Sequence, residues 1–321
     1  MIDNISPQGT ARGAIVASTS KQAPDYWYSW VRDSALTMDV LTLVQSFIKE
    51  HPEFENDERL QKLAAIQTGN EHRAFFEDYA AFSVKNQYTD TPSKQLDSNL
   101  GEPKFNVDGS SYNGPWGRPQ NDGPALRSMA FIAYLEESES TANTDWYSSN
   151  KESMIKMDCE YVSKKWNSPS FDLWEEVLGK HFYNAVVYVK ALQRCAEMAM
   201  EKQDEGAARY YLKIKQEAEG NVKKHFRNGF VEQTLEKERG FPKPSNLDIA
   251  TILALLHTNM TPNDVIYMSH PKVQATLVKL EDRFRNIYPI NSKNDLGTAY
   301  GRYPEDTYDG IGNSQGNFLL M

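Results

Sequence analysis

Apolar residues recur along most of the chain at the three- and four-residue spacing of an amphipathic helix. In residues 34–50 they form one stripe, which consists of Leu36, Val40, Leu43, Val44 and Phe47. Asp33 and Ser34 precede this stripe as a natural N-cap pair, and His51-Pro52 marks its end. The pattern predicts an amphipathic helix over residues 34–50 with this stripe as its apolar face.

Seven further segments have the same periodicity, and each is predicted to form a helix. They are residues 59–85, 123–135, 146–166, 181–200, 204–226, 247–256 and 273–287. We expect Gly69 to interrupt the first of them. No convincing series of alternating apolar and polar residues appears, so the sequence predicts no strands.

The connections between these helices are long and rich in glycine, proline, aromatic and charged residues. They comprise residues 21–33, 98–123, 168–179, 229–246 and 291–316. Loops of this length in a compact domain usually serve function. The simplest arrangement is an all-α scaffold that presents these loops on one rim.

Composition narrows the class of protein. A chain of 321 residues can bury one large core, so we expect a single domain over residues 1–321. The net charge of −9 argues against a nucleic-acid partner, because such proteins cluster lysine and arginine. No apolar run reaches the roughly 18 residues that span a bilayer, and the first residues lack the regions of a secretory signal. We expect a soluble protein without a membrane partner, which as encoded stays in the cytosol.

Two cysteines, Cys159 and Cys195, occur in the chain. They are too few for a disulfide framework or for a cysteine-based zinc site. A single bridge between them and two buried free thiols are alternatives that the sequence does not separate.

Four loop segments combine carboxylates with aromatic residues, and three of them add arginine. They are residues 26–34, residues 101–108 continuing to 116–124, residues 171–177, and residues 301–308. A sugar ring has two apolar faces, which aromatic side chains cover. Its hydroxyl groups are held by arginine donors and carboxylate acceptors in charge-assisted hydrogen bonds. Hydrolysis of a glycosidic bond then needs two carboxyl groups, one of them a proton donor.

Each segment also has a purely structural interpretation. Asp33 and Ser34 can serve only as a helix cap, and Asp172 with Glu175 has the spacing of a capping box. The other segments can supply an ordinary loop salt bridge (Arg302 with Asp306) and ordinary core residues (Trp30 and Trp116). The repetition of one unusual mixture in four loops favours the functional interpretation.

The adjacent pair Glu175 and Glu176 is the candidate for the acid chemistry. Neighbouring residues on a helix point about 100° apart, so both face one pocket only at a loop-to-helix junction. There, Trp174 and the nearby carboxylates would raise the pKa of Glu175. A carboxyl group that stays protonated near neutrality is what a general acid requires.

Together the four segments resemble glycoside hydrolase family 15, the glucoamylases, and in particular the yeast and fungal members. The resemblance rests on PDYWYSWVRDSAL, LGEPKFNVD with WGRPQNDGPALR, FDLWEEV, and GRYPEDTYDG, in that order between about Gly13 and Asn317. It implies an (α/α)6 barrel. It also implies release of β-D-glucose from the non-reducing ends of starch and related α-glucans with inversion, without a metal or organic cofactor. We expect a monomer that binds α-glucan or maltooligosaccharide.

The resemblance also implies roles for individual residues. Glu175 is similar to the general acid of the family. The residues similar to its substrate-binding set are Tyr26, Trp30, Arg32, Asp33, Trp116, Glu176, Arg302, Asp306 and Tyr308.

The resemblance ends after Gly316-Asn317, where the family continues with further helices. The catalytic base of the family lies downstream in a Ser-Glu-Gln segment. Val231-Glu232-Gln233 is similar to it but precedes residues 301–308, so we interpret this match as coincidence. We therefore expect a catalytic domain truncated after about residue 317, an incomplete barrel without its last helices, and inner apolar faces without partners.

Three functions follow from this resemblance. The first is an active exo-glucosidase, and the second is an inactive glucan-binding remnant that lacks its base, since an inverting enzyme needs a base to activate water. The third is another (α/α)6 hydrolase, such as a trehalase-like enzyme. Family members are usually secreted or vacuolar, which differs from the cytosolic expectation for this chain.

Overall fold

A computed structural model describes residues 2–22, 24–54, 70–96, 98–138, 144–293 and 297–308. Over these residues the α-helices are α1 Val31–Glu50, α2 Asn70–Tyr88, α3 Asp122–Glu137, α4 Met154–Lys165, α5 Phe182–Glu201, α6 Glu205–Lys224, α7 Ala250–Thr258 and α8 Pro271–Ile287. The strands are β1 Ser29–Trp30, β2 Lys104–Phe105, β3 Ser170–Phe171, β4 Val177–His181, β5 Phe226–Arg227, β6 Phe230–Val231 and β7 Thr234–Gly240. The fold is therefore predominantly α, as the periodicity predicts.

Each predicted helical segment overlaps one of these helices, and most of the compared ends differ by a few residues. Among the ends that lie within described residues, the largest difference concerns residues 146–166, where the α-helix begins only at Met154 and a 3-10 turn, Thr144–Trp146, precedes it. The expected interruption at Gly69 and the expected loss of helices after about residue 317 lie outside the described residues. Both stay predictions.

The expectation of no strands was wrong. Strands β3, β4 and β7 form one antiparallel sheet in that order, and two further pairs join β1 with β2 and β5 with β6. Most of these strands have two residues, which is too few for an alternating pattern to stand out in the sequence.

The chain divides into two compact units. The first comprises Met1–Lys165 and Ala191–Lys213, and the second comprises Trp166–Lys190 and Ile214–Met321. In the first unit, α1 packs along α3. Its aromatic core includes stacked rings of Tyr79 and Phe131, whose centroids are 4.9 Å apart.

The predicted apolar face of α1 is not its buried face. The side chains that α1 buries are Val31, Arg32, Ser34, Ala35, Met38, Leu41 and Thr42. By contrast, Leu43 is 51% exposed and Phe47 is 41% exposed. The buried face of α1 includes polar residues with specific partners, so hydropathy alone selected the wrong stripe.

The N-cap prediction for α1 was also wrong. The N-cap residue is Trp30, which makes no side-chain cap bond, and Asp33 and Ser34 lie inside the first turn. Ser34 Oγ lies 3.2 Å from Ser29 Oγ and 3.3 Å from the Ile15 carbonyl oxygen. The structural interpretation of Asp33 as a helix cap therefore does not hold.

A buried ion pair and a disulfide join the helices of the first unit. Arg127 on α3 donates to Asp158 on α4 over 2.7 and 2.6 Å, and Gln87 on α2 donates to the same carboxylate over 2.9 Å. Cys159 on α4 is bonded to Cys195 on α5. Of the two alternatives for the cysteines, the structure has the bridge.

The core of the second unit lies around α8. Its buried members are Phe230, Leu247, Ile249, Leu280 and Phe284. Trp174, from the segment between β3 and β4, packs against this cluster. The core of this unit therefore supports the loop that carries Glu175.

The disulfide makes a prediction about stability. Cys159 and Cys195 are separated by 36 residues, so replacing both by alanine should lower the free energy of unfolding by about 3 to 4 kcal/mol. Urea unfolding of the double variant and the parent measures this difference. Alkylation of the unfolded, unreduced parent should modify no cysteine, and two reactive thiols would contradict the bridge.

Candidate active site

The four loop segments are shared between the two units. Residues 26–34 and 101–124 lie in the first unit, and residues 171–177 and 301–308 lie in the second. In the first unit, β1 pairs with β2 so that Trp30 lies opposite Lys104. This pairing joins the first two loop segments.

Arg32 is held by buried acceptors at the start of α1. Its Nη1 lies 3.0 Å from both Gln120 Oε1 and Asp122 Oδ2. Its Nε lies 3.7 Å from Asp33 Oδ2, and the Asp33 side chain is 41% exposed. Gln120 and Asp122 hold the guanidinium in place, while the Asp33 carboxylate is partly exposed to solvent. Such an arrangement can form charge-assisted hydrogen bonds with a hydroxylated ligand.

Aromatic rings surround the buried ammonium of Lys104. Its Nζ lies 3.2 Å from the centre of the Trp116 ring and 4.0 Å from that of Tyr112. Trp30 meets Trp116 and Tyr26 edge to face, at centroid distances of 6.0 and 6.1 Å. Such cation–π contacts hold the rings in place.

The two predicted tryptophans differ in exposure. Trp30 is 4% exposed, which agrees with a core position, whereas Trp116 is 38% exposed. Arg118 fixes the loop that carries Trp116, because it donates to Glu102 over 2.8 and 2.9 Å and to the Gly114 and Tyr112 carbonyl oxygens. Trp116 is therefore a partly exposed ring on a loop that Arg118 holds in place.

In the second unit, Glu175 and Glu176 lie in the turn that joins β3 to β4. The predicted loop-to-helix junction was wrong, since the chain passes from this turn into β4 and α5 begins only at Phe182. The capping-box interpretation fails for the same reason. Asp172 instead closes the turn: its Oδ1 accepts from the amides of Glu176 at 2.7 Å and Val177 at 3.0 Å.

The backbone of Glu175 is in the left-handed region, with φ at 67°. This conformation costs about 1 to 3 kcal/mol for a residue other than glycine, and such residues cluster at functional sites. The Glu175 amide donates to the Asp172 carbonyl oxygen over 2.9 Å, which stabilises the conformation. Gly240 on β7 leaves the turn room, because a Cβ there would lie 2.1 Å from the Glu176 carbonyl oxygen.

The Glu176 carboxylate is held by an arginine and a tyrosine. Arg302 Nη2 lies 2.9 Å from Glu176 Oε1, and Tyr303 donates to Oε2 over 2.5 Å. Arg302 in turn forms a two-point pair with Asp306, with both bonds at 2.6 Å. Its guanidinium lies 5.2 Å from the centre of the Tyr308 ring. Four predicted residues, Glu176, Arg302, Asp306 and Tyr308, are thus brought together.

Lys243 and Asp248 lie beneath this cluster. Lys243 Nζ is 2.9 Å from Asp172 Oδ2 and 3.1 Å from Asp248 Oδ2. Burial raises the pKa of Asp172, but Lys243, His181 and the turn amides outweigh it and hold that pKa below its usual value. Asp172 therefore supports the turn as a carboxylate whose charge is favoured by Lys243 and the turn amides.

His181 joins the strands on both sides of the same turn by hydrogen bonds. Its Nε2 lies 3.0 Å from the carbonyl oxygens of Ser170 and Val177, one on each strand, and its Nδ1 lies 3.0 Å from Thr234 Oγ1. The two carbonyl acceptors require a proton on Nε2. Burial lowers the pKa of His181, although Asp172 works in the opposite direction.

Several residues of these clusters were not predicted. Within the quoted motifs they are Lys104, Gln120, Asp122 and Tyr303, and outside them Tyr112, Lys243 and Asp248. The first group was overlooked because the family resemblance implied roles for other residues of the same motifs. Lys243 lies between two prolines in residues 229–246, which the sequence analysis identified as a long connection. This position in a long loop was the one feature of the sequence that could have indicated a functional role.

Other expectations concern the look-alike base, metals and membranes. The Glu232 carboxylate accepts from Asn228 Nδ2 over 2.6 Å. Within the described residues, no group of three or more His, Cys, Asp and Glu side chains is placed to hold a metal ion. None of the described helices is long and apolar enough to cross a membrane.

Comparison with known proteins gives consistent matches. The family model "Glycosyl hydrolases family 15" matches residues 1–321. "Glucoamylase 1" of Rhizopus oryzae is 37% identical over 100% of this chain and 50% of its own length. The "Probable glucoamylase" of Schizosaccharomyces pombe is 34% identical over 99% of this chain and 65% of its own. The chain thus spans about half to two thirds of the length of these relatives.

Solved structures show the same likeness. A glucoamylase from Saccharomycopsis fibuligera superposes with a TM-score of 0.77 at 32% identity, over 97% of this chain and 64% of that one. A glucoamylase of Hormoconis resinae gives a TM-score of 0.75 at 30% identity, over 95% of this chain and 50% of that one. These proteins have the (α/α)6 fold, so the predicted fold class is confirmed.

The environment of His181 leads to a prediction about how the free energy of unfolding depends on pH. A histidine whose pKa is lower in the folded than in the unfolded chain binds fewer protons when folded, so the stability it contributes is lost as pH falls below about 6.5. The free energy of unfolding of the parent should therefore fall more between pH 7.5 and pH 5 than that of His181→Gln. Urea unfolding at both pH values measures this, and an equal decline in the two proteins would contradict it.

Proposed function

Because this chain belongs to glycosyl hydrolases family 15, we propose that it is an exo-acting glucan 1,4-α-glucosidase. Its substrates are starch, glycogen or maltooligosaccharides, from whose ends it removes glucose with inversion to give β-D-glucose. The observation that carries the proposal is the turn at Glu175. Glu175 is presented on a strained backbone between two residues, Trp174 and Glu176, whose side chains are both fixed.

The two glutamates of the turn have different environments, and this difference supports the roles proposed for them. Glu176 is engaged by Arg302 and Tyr303, so its carboxylate is an acceptor that holds a fixed position. Such a group suits binding of a sugar hydroxyl better than release of a proton. Glu175 is half-buried and adjoins Trp174, and it is left as the general acid.

In each unit, further residues are proposed to contact α-glucan. In the second unit, the Arg302–Asp306 pair and Tyr308 supply donors, acceptors and an aromatic face. In the first unit, Arg32 with Asp33 supplies a charge-assisted grip on adjacent hydroxyl groups, and Trp116 with Tyr26 supplies apolar surface. Trp30 acts by packing against both rings, since it is itself buried.

In the proposed reaction, Glu175 gives its proton to the glycosidic oxygen as the bond to the anomeric carbon breaks. A water molecule attacks the anomeric carbon from the opposite face, and a base takes the proton of that water. The sugar leaves as the β anomer, and the second product carries the former glycosidic oxygen as a hydroxyl group. Glu232 is not proposed as the base, because it pairs with Asn228 in a hairpin turn and lies out of order in the sequence.

The same observation favours a second candidate, a protein that binds α-glucan without hydrolysing it. The sugar-binding residues are proposed for both functions, and the two differ only in whether a base completes the reaction. Glucose release and calorimetric binding of maltoheptaose by the purified chain separate them. Binding without glucose release would leave the second candidate.

A pair of glutamate variants tests the assignment of the acid. Glu175→Gln should reduce kcat on maltoheptaose by about 100-fold or more, since it removes the proton donor. Glu232→Gln should leave kcat unchanged and serves as the matched control. Proton NMR of the released glucose should show the β anomer first, whereas α-glucose or preference for trehalose over maltose would contradict the proposal.

A further inference from the structure

Lys243 is a buried lysine that belongs to none of the sequence motifs. Only 6% of its side chain is exposed. Its ammonium lies 2.9 Å from Asp172 Oδ2, 3.1 Å from Asp248 Oδ2 and 3.7 Å from Glu176 Oε2. It also lies 3.8 Å from the centre of the Tyr303 ring. One positive charge therefore faces three carboxylates and an aromatic face.

Two of these carboxylates hold the turn on either side of Glu175. On one side, Asp248 accepts from Trp174 Nε1 over 2.9 and 3.0 Å. On the other side, Asp172 accepts from the backbone amide of Glu176 over 2.7 Å. The residues before and after Glu175 are therefore both anchored to groups that Lys243 pairs.

The electrostatics of this cluster keep Lys243 charged. Burial alone would lower its pKa, but Asp248, Asp172 and Glu176 outweigh burial and hold that pKa above its usual value. A buried carboxylate without a counter-charge is costly. Without the ammonium, Asp172 and Asp248 would lie buried close to each other with their negative charges unbalanced.

The segment that carries Lys243 is hydrogen-bonded to the loop of residues 301–308. Ser245 donates to both Glu305 carboxylate oxygens, from its amide over 2.9 Å and from its hydroxyl over 3.0 Å. At its other end, the Phe241 amide donates to the Glu176 carbonyl oxygen over 3.3 Å. Lys243 thus sits between the turn and residues 301–308 on a backbone that contacts both.

We propose that Lys243 is a positioning residue for the acid step: by pairing Asp172 and Asp248 it fixes the turn that presents Glu175. Lys243 acts through these carboxylates and not on the substrate. The expected loss of kcat rests on the proposed function, whereas the expected loosening of the turn does not.

The kinetic test compares two substrates with Lys243→Met. Maltoheptaose needs a proton on its leaving oxygen, whereas α-D-glucosyl fluoride loses fluoride with the electron pair of the C–F bond and needs no acid. A misplaced acid should lower kcat on maltoheptaose by about 10-fold or more while kcat on the fluoride and both KM values change by less than about 3-fold. Lys243→Arg should restore part of the lost kcat, because it returns the charge.

Lys237→Met is the matched control. Lys237 lies on β7, is exposed, and donates to the Phe241 carbonyl oxygen over 2.8 Å, so the substitution removes the same group from the same part of the chain. It should leave both substrates unaffected. Equal losses on maltoheptaose and the fluoride in Lys243→Met would overturn the proposal.

The structural test does not need turnover. Amide hydrogen exchange of a peptide covering residues 171–178 should be faster in Lys243→Met than in the parent and Lys237→Met, since the Asp172 acceptor is no longer fixed. If Lys243→Met fails to fold, Lys243→Met/Asp248→Asn removes one unpaired charge and keeps an acceptor for Trp174. Unchanged exchange in the folded variant would overturn the proposal. A parent that hydrolyses neither substrate would contradict the proposed function, and exchange alone would then decide this inference.

Discussion

The ion pair between Lys243 and Asp172 lies where water compensates neither charge, so each group depends on the other. The same dependence recurs in the first unit, where buried carboxylates are met by arginines: Glu102 by Arg118, Asp122 by Arg32, and Asp158 by Arg127. Replacing such a pair by apolar residues of similar size often costs little stability, whereas removing one partner costs several kcal/mol. What these pairs provide is fixed geometry. The pairs of Asp172, Glu102 and Asp122 each hold a loop or a helix start that carries a residue of the proposed site, whereas the pair of Arg127 with Asp158 joins α3 to α4.

Helical periodicity identified the helices of this fold but not the face that each one buries. On α1 the buried face includes Arg32, Ser34 and Thr42, which a hydropathy pattern counts as solvent-facing. Five of the seven described strands were missed because two residues carry no period. The turn at residues 172–176 was interpreted as a helix start because Asp172 and Glu175 have the right spacing. The underlying chemistry was correct, since a carboxylate does accept from nearby amides, but a turn offers those amides as well as a helix does.

The proposed site was predictable as far as its residues lie close together in the sequence. Arg302 and Asp306 are four residues apart and are paired in the structure. Lys243 lies 71 residues from Asp172, and no local pattern predicts a contact across that distance. The tryptophans show a different limit. Sequence analysis offered packing and binding as alternatives; Trp30 is buried, whereas Trp116 is partly exposed and is proposed to bind.

The bridge between Cys159 and Cys195 links the stability of the first unit to the redox poise of the surroundings. Folding and disulfide formation are coupled equilibria, so whatever the bond adds to the folded chain also makes the bond harder to reduce in the folded chain than in the unfolded one. In a glutathione-buffered compartment, glutathione can reduce the bond by thiol–disulfide exchange. The bridge between α4 and α5 then persists only to the extent that folding stabilises it. An oxidising lumen removes this competition. The same chain therefore has a different stability in a reducing compartment and in an oxidising one.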